Sequence, residues 1–486
     1  MQNGTLLAAV DLGSNSFRLE IGRVEHGQVR RAEYIKETVR QGNGLDGARN
    51  LTGEAMQRGW ECLARFGERL AGFRKAQVRA VATQTLREAR NRAEFLARAK
   101  EVLGFPIDVI SGREEARLIY QGVAHLLPQS EEKRLVVDIG GRSTELILGQ
   151  GYKANLMESY RVGSVAWSMR YFAQGTLEEA AFEAAELAAR AVLEEAGGSF
   201  ARKGWDVAYG SSGTIGAVAD ALNAAGGEAS VITRDDLDWL RGALVASGHA
   251  DKVKLAGLKD DRRPVIGGGV AVLRAVFDTL RIDAMRAADG ALRHGVLYDM
   301  LDREQPATDV RSATVTALCA RFEVDAAQAQ RVAATAGSLL EQLHGDGGQE
   351  LAWAARLHEI GSTISHSDYH KHGAYILDNA DAPGFAVPEL HRLGLLVYGH
   401  RGKLRKLEAD FGDEDFVHQL VCLRLGVILC HARRDPDASG LKLSASGNRV
   451  TLKVPAGWAA TYPQSAYLLR EEVTAWQKTP WEFALA

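Results

Sequence analysis

The sequence predicts an α/β protein with two α/β lobes, followed by a mainly α-helical domain and a small β-containing unit. Three observations predict this class. The phrase VDLGSNSFRLEIG at residues 10–22 returns as VDIGGRSTELILG at residues 137–149, with Val, Asp, Gly, Ser and Leu at matched positions. Short apolar strands alternate with amphipathic helices up to about residue 300, and helical periodicity dominates from about 309 to 434. A hairpin pattern follows near the C-terminal end.

The composition is typical of a folded protein of about three domains. The chain has 486 residues, of which 46% are apolar and 25% charged, and its net charge is -3. This balance predicts no nucleic-acid or membrane partner. The cysteines, which are Cys62, Cys319, Cys422 and Cys430, are dispersed as expected for reduced thiols. No apolar run reaches the ~18 residues of a membrane helix, and we expect a cytoplasmic protein.

The first lobe is predicted at residues 1–125. It begins with LLAAVDLG, FRLEIGRV and QVRRAEYIKETVR, which indicate an antiparallel meander with a turn at His26 and Gly27. Residues 54–73 have helical periodicity. QVRAVATQTLREA then predicts a strand and a helix, and PIDVISGREEARLIYQGVAHLL predicts a strand, a turn and a helix.

The second lobe is predicted at residues 126–304. It opens with KRLVVDIGG, continues in strands to about Arg161, and reaches a helix at 176–196 that ends at Gly197 and Gly198. WDVAYGSSGTIGAVADAL predicts a strand, a small-residue turn and a helix, and VIGGGVAVLRAVFDTL places glycines before a helix. Residues 305–435 are predicted to form the helical domain. Residues 436–486 are predicted to form the terminal unit, with a hairpin in LKLSASGNRVTLKVP.

Each copy of the repeated phrase ends a strand in Asp and continues into a turn of small residues. Such a turn directs several backbone N–H groups into one concavity, which favours an anion. Asp11 and Asp138 stand where a carboxylate binds a divalent cation, directly or through water, as Mg²⁺ prefers. Each turn returns into a strand, so the motif is neither a Walker A loop nor a dinucleotide fingerprint. Two ordinary β-hairpins are the alternative.

The two copies differ at one chemically important position. The first copy has Arg18 where the second has Glu145, seven residues after Asp138. This asymmetry predicts that a metal ion lies near the turn of the second lobe. A solvated strand residue is the alternative for Glu145.

The chain resembles the exopolyphosphatase / guanosine pentaphosphate phosphohydrolase family over essentially its whole length. Six motifs occur in the order of that family: AAVDLGSNSFRLEIG, ATQTLREARN, ISGREEARLIYQGV, LVVDIGGRSTELILG, AYGSSGTIGAV and DGALRHGVLYDM. The resemblance implies two actin-like, ribonuclease H-like lobes with a cleft where a terminal phosphate is hydrolysed with Mg²⁺. It also implies an HD-like helical domain and a homodimer.

The resemblance further implies roles for the acidic residues. Glu115 is similar to the family's general base, and its place in the first turn of a helix favours the ionised carboxylate. Its neighbour Glu114 is the competing acid, with helix initiation as its simplest role. Asp138 and Glu145 resemble the metal-binding carboxylates, which Asp11 assists through water.

The phosphate ligands implied by the resemblance lie in small-residue turns: Gly13, Ser14, Asn15, Ser16, Gly140, Gly141, Arg142, Ser143, Gly210, Ser211, Ser212 and Gly213. Arg87 resembles the family's phosphate-clamping arginine, whose fork suits two contacts to one phosphate. A solvated arginine at a helix start is the alternative. Lys36 and Arg40 line the cleft or form a charged strand face. Relatives often carry a small residue in place of Arg142. The Arg142 side chain therefore either adds a phosphate contact or crowds the turn.

Two C-terminal stretches are unusual. The first is dense in histidine: His358, His366, His370 and His372. His358 is followed by Glu359 where HD phosphohydrolases have a His-Asp pair, so structural or substrate-guiding histidines are favoured over a second metal site. The second stretch, VYGHRGKLRKL at 397–407, is either a basic track for a polyanion or a solvated surface.

The motifs and the resemblance together predict an exopolyphosphatase. It removes the terminal phosphate of inorganic polyphosphate as orthophosphate, with Mg²⁺ and with water activated by Glu115. Hydrolysis of guanosine pentaphosphate by the same residues is the nearest rival. An ATP-dependent kinase, suggested by Gly267, Gly268 and Gly269, is a third candidate, and a non-catalytic sensor is a fourth.

Overall fold

A computed structural model describes residues 2–128, 130–228, 230–303 and 309–486. The chain divides into two compact units, Met1–Thr308 and Asp309–Ala486. The first unit contains two clusters of buried apolar side chains and the second contains one. None of the helices that the structure describes is long and apolar enough to cross a bilayer.

The first sheet of the first unit has the order β3-β2-β1-β4-β5. Its strands are β1 Leu6–Leu12, β2 Phe17–Glu25, β3 Gln28–Glu37, β4 Val78–Ala82 and β5 Ile107–Val109. The first three strands are antiparallel, and β4 and β5 run parallel to β1. The β2–β3 turn has positive φ at both His26 (52°) and Gly27 (77°), as a type I′ hairpin turn requires. β1 is buried along nearly its whole length, which explains its continuous apolar run.

The second sheet has the order β10-β11-β9-β6-β7-β8. Its strands are β6 Lys133–Ile139, β7 Thr144–Gln150, β8 Lys153–Tyr160, β9 Val207–Ser211, β10 Val231–Thr233 and β11 Ala284–Ala287. Antiparallel β6, β7 and β8 correspond to β1, β2 and β3, and the parallel strands β9 and β11 correspond to β4 and β5. The repeated phrase therefore occupies the same hairpin in each sheet, and the predicted fold class is confirmed.

The helices of the first unit cover and connect the two sheets. They are α1 Gly53–Arg69, α2 Gln84–Glu88, α3 Arg92–Leu103, α4 Gly112–Leu126, α5 Ser164–Tyr171, α6 Glu179–Leu193, α7 Ala196–Ser199, α8 Ser212–Ala224, α9 Arg234–Ser247, α10 Arg263–Leu280 and α11 Leu292–Asp302. α4 packs on β7 and β8 of the second sheet, whereas α11 packs on β1 and β2 of the first. α4 and α11 also pack on each other. A Cβ on Gly295 would overlap the Leu118 backbone, so glycine permits this close approach.

Two glycine assignments differ from the sequence prediction. Gly267, Gly268 and Gly269 lie inside α10 and not before a helix. A Cβ on Gly268 would come 2.5 Å from the Ser164 carbonyl oxygen, so these glycines allow α10 to approach α5. Likewise α6 ends at Leu193, and Gly197 and Gly198 lie in the short helix α7, because the intervening residues keep helical dihedral angles.

The second unit is mainly helical, as predicted. Its helices are α12 Val310–Arg321, α13 Ala326–Gln342, α14 Gly348–Leu357, α15 Tyr369–Asn379, α16 Val387–Gly399, α17 Glu414–Leu429, α18 Trp458–Thr461 and α19 Pro463–Trp476. The predicted hairpin is formed by β12 Lys442–Ser446 and β13 Arg449–Lys453, with Gly447 at φ 52°. A further strand, β14 Glu482–Leu485, pairs in parallel with β13, and its distance along the chain hid this pairing from local patterns.

Candidate active site

The two repeated hairpins carry different pairs of charged residues at equivalent positions. In the first sheet Asp11 lies opposite Arg18, whose Nη1 donates to Asp11 Oδ2 at 3.0 Å. In the second sheet Asp138 lies opposite Glu145. The carboxylate of Asp11 therefore has a cation beside it, whereas Asp138 faces a second acid.

The turns of the two hairpins also lie against each other. A Cβ on Gly141 would come 2.9 Å from Ser14 Cβ, so the turns at 13–16 and 140–143 are in close contact. Within the described chain, the buried atoms Asn15 Nδ2 and Ser16 Oγ have no hydrogen-bond partner. Unused donors beside a cavity suit an anion that carries several acceptor oxygens.

A cavity of about 410 Å³ lies between the two sheets. Most of the predicted site residues line it: Asp11, Gly13, Ser14, Asn15, Ser16, Glu115, Asp138, Gly140, Gly141, Ser143, Ser212 and Gly213. The remaining predicted residues are not among those lining it: Arg87, Arg142, Glu145, Gly210 and Ser211. The structure therefore brings residues that are distant in sequence to one cleft.

Ser211 and Ser212 begin α8 in an unusual geometry. Ser211 Oγ donates to the Gly290 carbonyl oxygen at 2.8 Å. Ser212 has φ 97°, and its Oγ accepts from the backbone N–H of Thr214 at 3.1 Å. A non-glycine residue at positive φ is strained, and such strain is concentrated at functional sites.

The adjacent acids of α4 have different surroundings. Ser111 caps the helix, since its Oγ accepts from Glu114 N at 3.1 Å. The Glu114 side chain is fully buried and accepts from Arg117 Nε at 2.8 Å. Glu115 lines the cavity and accepts from Arg87 Nη1 at 2.8 Å. Of the two, Glu115 is therefore the one placed to meet a ligand.

Burial governs the protonation of the acids around the cavity. It raises the pKa of Glu115, against the ion pair with Arg87 and the favourable field of the helix start. Burial, together with repulsion from the nearby carboxylates of Glu115 and Asp11, raises the pKa of Asp138 to about 7. Burial and the same kind of repulsion, from Glu115 and Asp138, hold the pKa of Glu145 well above its usual range.

This acidic group fits a divalent cation. Glu145 Oε1 accepts from Ser159 Oγ at 2.8 Å, but the buried Glu145 Oε2 has no partner in the described chain. Asp138 and Glu145 supply only oxygen donors, which Mg²⁺ prefers. No three His, Cys, Asp or Glu side chains among the described residues are grouped to hold a metal. A cation held by Asp138 and Glu145 would keep water or substrate oxygens as its other ligands, as Mg²⁺ does.

A group of cationic side chains lines the same cavity: Arg18, Lys36, Lys259, Arg262 and Arg293. Burial and the neighbouring Arg18 lower the pKa of Arg262. Crowded cations of this kind favour an anion with several charges. Sequence reasoning missed Lys259, Arg262 and Arg293, because nothing local separates them from solvated charges.

Arg142 and Arg87 are engaged by protein groups. Arg142 Nη2 lies 3.0 Å from Glu88 Oε2, and its Nη1 donates to the Gly42 carbonyl oxygen at 3.2 Å. Arg87 bonds to Glu115, to the Ile110 carbonyl and to Gln84. Neither arginine therefore presents a free fork to the cavity in this arrangement.

The histidines of the second unit are partly buried. His358, His370 and His400 are buried, whereas His366 is exposed. His358 Nδ1 lies 2.6 Å from the Ala355 carbonyl oxygen, and burial lowers the pKa of His358. In the basic stretch, Arg401 lies over the Tyr369 ring, so part of this stretch packs on aromatic rings.

Comparison with known proteins relates this chain to one family of phosphatases. The Ppx/GppA phosphatase family model matches residues 21–304, and the model of Ppx/GppA phosphatase domain III matches residues 310–473. A solved Ppx/GppA family member from Aquifex aeolicus is 26% identical, with a TM-score of 0.52 over 62% of this chain and 99% of its own. An exopolyphosphatase from Cytophaga hutchinsonii shares the fold at 24% identity, with a TM-score of 0.56 over 62% of this chain and 98% of its own. Since the two family models together cover most of its length, the chain belongs to the Ppx/GppA phosphatase family.

Proposed function

We propose that this protein is an exopolyphosphatase that hydrolyses the terminal phosphoanhydride of inorganic polyphosphate and releases orthophosphate. The observation that carries the proposal is the convergence of Glu115, the buried acid Asp138 and a group of cations on one cavity. A chain of phosphates needs cations to neutralise it, N–H groups to position it and a base beside its terminal phosphorus. The membership of the Ppx/GppA phosphatase family supports the same class of reaction.

Mg²⁺ or a similar cation is part of the proposal, with Asp138 and Glu145 as its ligands and Asp11 acting through water. Such a cation would neutralise charge that develops on the terminal phosphoryl group. The unpartnered Glu145 Oε2 and the raised pKa of Asp138 support this assignment. A carboxylate oxygen without a hydrogen-bond partner and a raised carboxyl pKa are both expected of buried acids that lack a counterion.

The protein's own groups account for the remaining chemistry. Backbone N–H groups and hydroxyls of the turns at 13–16 and 140–143 hold the phosphate oxygens, and Arg18 and Arg262 balance the charge of the chain. A carboxylate oxygen of Glu115 takes a proton from water as the water oxygen bonds to the terminal phosphorus. The bridging P–O bond then breaks, and its electron pair stays with the shortened chain. A base whose pKa is raised above that of a free carboxylate holds this proton more readily.

Hydrolysis of guanosine pentaphosphate is the second candidate. Tyr34 lines the cavity, and Arg293 lies over its ring, 4.8 Å from the centroid. An aromatic ring offers a stacking surface to a nucleobase, whereas an inorganic chain has no group to stack. The glycines that suggested a kinase, Gly267, Gly268 and Gly269, do not form a loop before a helix, because they lie inside α10 where it packs on α5.

The test is a side-by-side phosphate-release assay on long polyphosphate and guanosine pentaphosphate with Mg²⁺. Glu115→Gln is expected to lower kcat by a factor on the order of 10² to 10⁴, the usual contribution of a general base, while binding is retained. Glu94→Gln is the matched control, because Glu94 is an exposed first-turn acid of α3. Full turnover by Glu115→Gln would refute the mechanism. Transfer of a radiolabelled phosphate to an acceptor other than water would indicate a kinase.

Assembly and location are also proposed. We expect a homodimer, to be measured by light scattering, and a cytoplasmic protein without nucleic-acid or membrane partners, to be checked by cell fractionation. A monomer at micromolar concentration would contradict the first expectation. Recovery in the membrane fraction would contradict the second.

A further inference from the structure

A series of hydrogen bonds begins at Arg142, in the turn between β6 and β7. Its Nη2 and Nε donate to Glu88 Oε2 at 3.0 and 3.3 Å. Its Nη1 donates to the Gly42 carbonyl oxygen at 3.2 Å. Glu88 and Gly42 belong to the first lobe and Arg142 to the second, so this contact joins the two sides of the cleft.

Helix α2 continues the series in one direction. Gln84 Nε2 donates to Glu88 Oε1 at 2.6 Å. Gln84 Oε1 accepts from Arg87 Nε at 3.1 Å and from Arg87 Nη2 at 2.7 Å. Because a carboxylate only accepts and a guanidinium only donates, a single orientation of the Gln84 amide satisfies both neighbours. The amide therefore links the positions of Glu88 and Arg87.

Arg87 completes the series at the cavity. Its Nη1 donates to Glu115 Oε2 at 2.8 Å and to the Ile110 carbonyl oxygen at 2.9 Å. Each of its guanidinium nitrogens thus has a partner that fixes its place. The side chains of Arg87 and Glu115 are only 15% and 10% exposed, so water weakens these charge-assisted bonds little.

We propose that Arg142, Glu88 and Gln84 are positioning residues: the contact of the second lobe's turn with α2 sets the place of Arg87 and, through it, of the Glu115 carboxylate. This inference rests on the proposed role of Glu115 as the base. It gives Arg142 a function other than phosphate binding, since its donors are taken by Glu88 and Gly42. The series couples the approach of the two lobes to the geometry of the reacting groups.

A simple ion-pair latch between the lobes is the competing explanation, and the chain offers a matched control for it. Arg113 on α4 donates to Glu158 on β8 from Nη2 at 2.6 Å and from Nε at 3.3 Å. This pair joins α4, which follows β5 of the first sheet, to β8 of the second sheet, on which α4 packs, and it is not part of the series. If ion pairs matter only as latches, Arg113→Ala and Arg142→Ala have equal effects.

The experiment compares kcat and KM for Arg142→Ala, Glu88→Gln, Gln84→Ala and Arg113→Ala, with unfolding temperatures measured in parallel. We expect kcat to fall by about 10- to 100-fold in the first three, since small displacements of reacting groups cost rate. KM stays within about twofold, because the phosphate ligands are untouched. Arg113→Ala keeps kcat within about twofold. Arg142→Lys, which retains a donor for Glu88, recovers about half or more of the lost activity.

The activity of a double variant provides a second criterion. Combining Arg142→Ala with Gln84→Ala should cost no more than the larger single loss, because both changes interrupt the same series. Additive losses, an unchanged kcat in Arg142→Ala and Glu88→Gln, or equal losses in Arg142→Ala and Arg113→Ala would each overturn the proposal.

A third readout separates this proposal from the proposed function. The Arg87 Nε–H signal, assigned by its disappearance in Arg87→Lys, is followed by NMR in the unmodified protein, in Arg142→Ala and in Glu88→Gln. We expect its hydrogen exchange to accelerate about tenfold or more when Gln84 loses its fixed orientation. An unchanged rate overturns the series whether or not the protein releases phosphate. Absence of phosphate release from both substrates by the unmodified protein would instead refute the proposed function.

Discussion

Replacing Asp138 by Asn in cation-free solution is expected to stabilise the first unit at neutral and alkaline pH. Burial raises the pKa of Asp138 to about 7, from an ordinary value of 3.8. The folded chain therefore binds this proton more tightly than the unfolded chain does. The contribution of Asp138 to the unfolding free energy is highest below its pKa in the unfolded chain. It falls as the pH rises from that pKa to the pKa in the folded chain, and it levels off above the latter.

The size of the effect follows from the two pKa values. An interval from 3.8 to about 7 corresponds to a cost of about 4 kcal/mol at about pH 8, and of about 2 kcal/mol at about pH 5. Asn has nearly the same shape without the charge, so Asp138→Asn should recover up to these amounts. The repulsion between Asp138 and Glu145 also disappears in the variant.

The assay is urea unfolding of the unmodified protein and of Asp138→Asn in EDTA at about pH 5 and about pH 8. The gain in the variant should be larger at the higher pH. Added Mg²⁺ should stabilise the unmodified protein more than the variant, because a ligand that binds the folded state stabilises it. Asp283→Asn is the control, since the side chain of Asp283 is 90% exposed. A variant less stable than the unmodified protein at about pH 8, or a difference independent of pH, would refute the reasoning.

Two further predictions concern helix packing and the cations of the cavity. Gly295→Ala should destabilise the first unit by about 1 to 3 kcal/mol, because the added Cβ meets the Leu118 backbone. Gly242→Ala in α9, where a Cβ meets nothing within 4 Å, should stabilise the first unit by up to about 1 kcal/mol. Thermal unfolding distinguishes the two variants. An unchanged stability of Gly295→Ala would show that α4 and α11 can move apart. Arg262→Gln should raise KM for polyphosphate about tenfold or more, since a charged hydrogen-bonding group is lost, while the exposed control Arg286→Gln should not. Steady-state kinetics at two salt concentrations test this, and an unchanged KM would exclude Arg262 from substrate binding.

Much of the fold was predictable because its signals are local. The hairpin turn at His26 and Gly27, the strand that becomes β6 and the turn and helix that become the start of α4 each depend on neighbouring residues. Pairings between distant segments left no such signal. Strand β14 and the close packing of α10 on α5 were missed, because a strand partner or a facing helix is not encoded in a short window.

The candidate site was predictable in part for the same reason. The repeat itself contained the contrast between Arg18 and Glu145, and the sheet register places both opposite an Asp. Neither Glu114 nor Glu115 could be preferred on spacing, because adjacent helical residues differ only in the direction they face. The Arg262 contribution also required the folded chain, since Arg262 lies far in sequence from either turn.

The sequence by itself determined the duplicated hairpins, the acidic and basic versions of the same motif, and the helical character of the second unit. These follow from residue order along single elements. Only the tertiary structure decided which of two adjacent acids meets the cavity, which cations join it, and that Arg142 bonds to Glu88. Those outcomes depend on which elements pack together, and burial in that packing then sets the protonation of Asp138 and Glu145.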